Sequence, residues 1–180
     1  MTGSLEGRSR TGLAVGELVV YGSHGVGRVV DRLPAAGDRQ EAVLVEFGGG
    51  LTVTLPLELA AVSMRRLVEE RELVAVAQVL RSERPVDSQS WTRRLRALRE
   101  TVGTGEATGW AEIARDGIRG EHRRGKTRGG LSAPSERRLY LQARALLAAE
   151  IAAVREIDLN EADAWIVEQV TDPPAEADAG

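Results

Sequence analysis

Trp91, Arg93, Arg94 and Arg96 are the residues whose types and spacing best suit a chemistry, and that chemistry is recognition rather than reaction. An aromatic ring crowded by guanidinium groups fits a phosphate backbone beside an opened base step, the ring wedging and the arginines adding a salt-dependent attraction. The same residues also read as packing, with a core tryptophan and a solvated basic face, since most single tryptophans in small domains are packing residues. Taken alone, they leave both readings open. A second cluster, Gly22-Ser23-His24-Gly25-Val26-Gly27, lacks the glycine spacing of a phosphate loop and is followed by no helix, so it reads as a hairpin turn. His122 is the only other histidine and cysteine is absent, so neither a metal site nor a Ser-His-Asp triad has its parts. The chain reads as a non-enzyme without a cofactor.

The elements that position these residues follow from periodicity. Ser90 stands in N-cap position before a helix whose stripe is Leu95, Leu98 and Val102. Before it, Leu73, Val76, Ala77 and Leu80 predict a helix from about Glu69 to Arg81, which Pro85 prevents from continuing. After Gly103-Thr104-Gly105, a third helix carries Ala107, Trp110, Ile113 and Ala114, with Thr104 as cap and Trp110 as a core residue. Gly109, Gly117 and Gly120 each weaken that helix by about 1 kcal/mol relative to alanine, so its second half is expected to fray. Glu121 to Gly130, basic and glycine-rich, reads as a mobile loop or as a nucleic-acid contact. Ser132 and Pro134 then open the longest helix, with Leu139, Ala143, Leu146, Leu147, Ile151 and Val154 on its apolar face. Asn160 caps a last helix bearing Ala162, Trp165, Ile166 and Val170.

The first third has a different period. Leu18 to Tyr21, Val26 to Val30, Ala42 to Phe47 and Leu51 to Leu55 are short β runs, separated by turns at Gly22–Gly25, Pro34–Gln40 and Gly48–Gly50, and Pro56 ends the last. Ala61 to Leu67 is ambiguous and could add a strand. The fold class is α+β in two domains. Residues 13–67 form a small Tudor-like or SH3-like barrel and residues 68–171 an all-α domain of about five helices; 1–12 form a disordered leader and 172–180 a disordered acidic tail.

Charge supports a division of labour. The whole chain carries −3, yet residues 91–144 hold 13 basic against 6 acidic residues, a net of +7, while residues 145–180 hold 1 against 9, a net of −8. A basic middle is the footprint of a chain that meets polyanion with one face. Absence of cysteine suits a reducing cytoplasm, and no apolar run approaches the roughly 20 residues of a membrane span.

The order of parts resembles the CarD/CdnL family of bacterial transcription regulators over roughly residues 13 to 170. The residues that carry the resemblance are Val19-Val20-Tyr21 with His24-Gly25, Leu51-Thr52-Val53 with Pro56, Gln78-Val79-Leu80-Arg81, Trp91-x-Arg93-Arg94, and Leu131-Ser132 opening a helix with Arg137-Arg138 and Ala143-Arg144. The resemblance implies a Tudor-like domain that binds the RNA polymerase β subunit through an exposed strand edge, here Leu51, Thr52, Val53, Thr54, Leu55 and Pro56, with Val53 as a backbone donor to the partner. It implies a helical domain that contacts promoter DNA at the upstream edge of the bubble, with Trp91 as wedge and Arg93, Arg94 and Arg96 on phosphates, in a protein acting as a monomer. Thr54 stands where family members carry a basic residue, which leaves backbone pairing as the contact. The alternative is a protein–protein adaptor that uses the β domain alone, with Trp91 buried.

Overall fold

The computed structural model describes residues 13–83, 90–126 and 133–171, and the chain divides into two units between Leu67 and Val68. In the first unit, strands β1 (Leu18–Tyr21), β2 (Gly25–Leu33), β3 (Ala42–Phe47) and β4 (Thr52–Pro56) are followed by a short helix α1 (Leu57–Ser63) and strand β5 (Met64–Arg66). They form one antiparallel sheet in the order β4-β3-β2-β1-β5. It is an open sheet and not the closed barrel expected. The reason lies after Pro56, where the chain turns into α1 and leaves only the three-residue β5, which pairs with β1; among the described residues no ladder joins β5 to β4. The ambiguous stretch from Ala61 therefore divides, its first part helical and only Met64–Arg66 a strand.

Alternate residues of the strands meet in one core: Val19, Val29, Val43, Val45, Phe47 and Leu55, closed by Leu13, Ala60 and Met64. Gly27 is required by this packing, because a Cβ there would lie 2.6 Å from Phe47 Cε1 and 2.8 Å from Val45 Cγ1. His24 stacks on Tyr21 with ring centroids 5.3 Å apart and lies 5.6 Å from Phe47, so it belongs to an aromatic cluster at the β1–β2 turn.

The second unit holds α2 (Leu73–Arg81), α3 (Trp91–Thr104), α4 (Ala107–Lys126), α5 (Pro134–Arg155) and α6 (Leu159–Thr171). The predicted stripes are buried: Leu73, Val76, Ala77 and Leu80 on α2, Trp110, Ile113 and Ala114 on α4, Leu139, Ala143, Leu147 and Ile151 on α5. Trp110 is fully enclosed and donates its indole N–H to the Val102 carbonyl at 3.1 Å. Arg115 and Arg119 of α4 fasten the end of α2. Arg115 Nη1 donates to Val79 O and Ser82 Oγ, and Arg119 donates to Arg81 O and Ser82 O, which satisfies carbonyls that a helix end leaves open.

Helix α4 is longer than expected. It continues through Gly117 and Gly120 and takes in Glu121–Lys126, expected to be loop. Tertiary packing outweighs propensity here: a Cβ on Gly117 would lie 2.7 Å from Tyr140 Cβ, so the glycine lets α5 approach closely. The caps also differ in detail. Thr104 is the last residue of α3, its Oγ1 donating to Thr101 O and also accepting the Glu106 N–H at 3.4 Å just before α4. Ala133 holds the N-cap position of α5 with no side-chain bond, while Ser132 lies outside the described residues. Asp158, not Asn160, caps α6, its Oδ1 accepting the N–H groups of Asn160 and Glu161 at 2.8 and 2.9 Å. The expected leader and acidic tail lie outside the described residues, as do most of the linker before Ser90 and the last part of the glycine-rich stretch.

Candidate nucleic-acid and polymerase interfaces

Trp91 is the first residue of α3, with Ser90 in the N-cap position and its carbonyl accepting the Arg94 N–H at 3.0 Å. By helical rotation Trp91 falls on the same stripe as Leu95, Leu98 and Val102, and Leu95 and Val102 are buried. Trp91 is nevertheless 48% exposed. Helical side chains lean toward the N-terminus, so a residue at the first position overhangs the end of the helix instead of lying under it. A large aromatic is thus held on a helix end that its neighbours anchor.

The three arginines do not form one patch. Arg93 and Arg96 project from the side of α3 opposite the buried stripe and are exposed. Arg96 pairs with Glu100 one turn along, at 2.9 Å, with both side chains mostly in solvent. Arg94 lies beside Trp91 on the inner side, and its Nε donates to Glu136 Oε1 at 2.7 Å, where the Glu136 side chain is 7% exposed. That pair ties the first turn of α3 to the first turn of α5. It also brings in Arg137 and Arg138, both exposed, the former 3.8 Å from Glu121. In the sequence Arg137 and Arg138 mark only the long helix, because the Arg94–Glu136 pair that brings them near α3 spans 42 residues. Farther along α5, Arg144 donates from both Nε and Nη2 to the Asp163 carboxylate of α6, and donating to that anion raises the Arg144 pKa above its ordinary value. Arg144 thus serves helix packing. Among the described residues no group of His, Asp or Glu could hold a metal ion, and no helix is long and apolar enough to cross a membrane.

In the first unit, β4 is an edge strand with β3 on one side. The hydrogen bonds Phe47 N–H to Leu51 O and Leu57 N–H to Glu41 O, each 2.7 Å, bracket the β3–β4 ladder. Antiparallel ladders bond every second residue, so Val53 and Leu55 direct their backbone groups at Val45 and Val43, while Thr52 and Thr54 direct theirs at the open edge. Val53 is therefore spent inside the sheet and is not the outward donor expected of it. Thr52, Thr54 and Pro56 are exposed, and Leu51 is 45% exposed at the entrance to the strand.

Residues 75–167 match the family described as CarD, C-terminal domain, and residues 13–68 match the CarD-like/TRCF RID domain. This chain belongs to the CarD/CdnL family. CarD proteins are non-enzymatic transcription regulators that interact with RNA polymerase, and the first of this protein's units is the polymerase-interacting domain. The C-terminal match lies within the second unit, and the RID match covers the first from Leu13 and ends one residue past the boundary, at Val68.

Proposed function

We propose that the β4 edge recruits the protein, as a monomer in the cytoplasm, to the RNA polymerase β subunit by strand addition, and that the N-terminal end of α3 stabilises the open promoter complex. Trp91 wedges at the upstream edge of the bubble while Arg93 and Arg96 meet phosphates, with Arg137 and Arg138 as further cationic contacts. The observation that carries this reading is a 48%-exposed tryptophan at the first position of a helix whose other stripe residues are anchored. Electrostatics supports it. The first turn of α3 has no acidic residue, and arginines at the positive end of a helix dipole repel it unless an anion is nearby. For polymerase, Thr52 and Thr54 offer outward backbone groups in the pattern that strand addition uses.

A photo-crosslinking amino acid at position 91, in complexes with polymerase on a promoter fragment, tests the DNA half of the proposal. Crosslinks should map to the upstream boundary of the melted region. Crosslinks confined to the protein itself would reject it.

A further inference from the structure

We infer that Arg94 is a positioning residue held by Glu136, and that this pair, not a phosphate contact, is its contribution; the inference rests on reading Trp91 as the DNA wedge. The two residues are 42 apart in sequence, and the Arg94 Nε to Glu136 Oε1 bond of 2.7 Å joins the first turns of two helices. Glu136 is 5% exposed and lies in the first turn of α5, where the helix dipole favours a carboxylate. Its charge needs a partner. A guanidinium that left it for a DNA phosphate would strand a buried anion, a large penalty.

The three arginines thus have separate roles. Arg96 pairs along its own helix in solvent, and Arg93 is exposed, so either can turn to a phosphate at little cost. Arg94 is only 33% exposed along its side chain and is committed inward. Trp91 and Arg94 are neighbours three apart on α3, so fixing Arg94 against α5 fixes the rotation of the first turn about its axis and hence the direction in which the indole overhangs. A rigid wedge inserts with less ordering cost than a mobile one.

The test uses the full-length protein with its cognate RNA polymerase holoenzyme on a promoter fragment, following open-complex decay at several salt concentrations. Arg94→Ala and Glu136→Gln should each shorten the lifetime by about 5-fold, without altering the dependence of lifetime on salt. Arg93→Ala should instead flatten that dependence by about one unit of log–log slope. The exchanged pair, Arg94→Glu with Glu136→Arg, should restore most of the lifetime, and it carries the test if a single variant fails to fold. An unchanged or longer lifetime for folded Glu136→Gln, as expected if a freed guanidinium reaches phosphate, would overturn the inference. So would an exchanged pair as impaired as Arg94→Ala. Trp91→Ala runs alongside: if it shortens the lifetime while the Glu136 variants do not, only the positioning role falls, and if it has no effect the wedge falls and the positioning role with it.

Discussion

Proline substitution at adjacent residues of β4 separates the sheet's internal bonds from the edge offered to polymerase. Val53→Pro removes the N–H directed at Val45, a residue with no solvent exposure, so the carbonyl left behind cannot recover a bond from water. The lost hydrogen bond and the orphaned acceptor together cost about 2 to 4 kcal/mol. Thr54→Pro removes an N–H that points away from β3, where proline is tolerated on edge strands, and should change stability by less than about 1 kcal/mol. Polymerase binding should nonetheless be lost in Thr54→Pro, because the outward donor has gone. Guanidinium unfolding of the full-length variants and co-purification with polymerase give the two readouts. A folded Thr54→Pro variant that binds polymerase like wild type would refute pairing through β4, and equal destabilisation by the two prolines would refute the bonding alternation.

Other predictions follow from individual packing sites. Trp110→Ala empties the centre of the helical unit and frees the Val102 carbonyl, and should cost about 3 to 5 kcal/mol, seen as a large fall in melting temperature. Gly117→Ala should destabilise by about 1 to 3 kcal/mol in thermal unfolding although alanine favours helix, because the added methyl meets Tyr140. Arg115→Ala releases Val79 O and Ser82 Oγ from a buried guanidinium and should cost about 2 to 4 kcal/mol, with amide exchange rising first at the end of α2.

The helical stripes were legible because each records a face buried against several neighbours, and Trp110 could be assigned to the core from spacing alone. Trp91 could not be resolved the same way. It lies on the same stripe as Leu95 and Leu98, and only its place at the first position of α3 takes it out of the core, a matter of one turn that periodicity does not see. Strand positions were readable in the first unit, but closure was not: whether a sheet becomes a barrel depends on where β5 pairs, and the pattern from Ala61 to Leu67 suits helix or strand. The division of the arginines was hidden for a further reason. Arg94 owes its role to a glutamate 42 residues away, and nothing in a local run of Trp and Arg marks which guanidinium turns inward. Propensity misjudged α4 because Gly117 is set by the contact with Tyr140 and not by helix stability.

Trp91→Ala tests the central claim most directly, with thermal unfolding and open-complex decay measured on the same preparation. An indole 48% exposed contributes little to the core, so the melting temperature should stay within a few degrees of wild type while the open-complex lifetime falls several-fold. A normal lifetime in the folded variant, or a collapse in melting temperature of the kind expected for Trp110→Ala, would contradict the account.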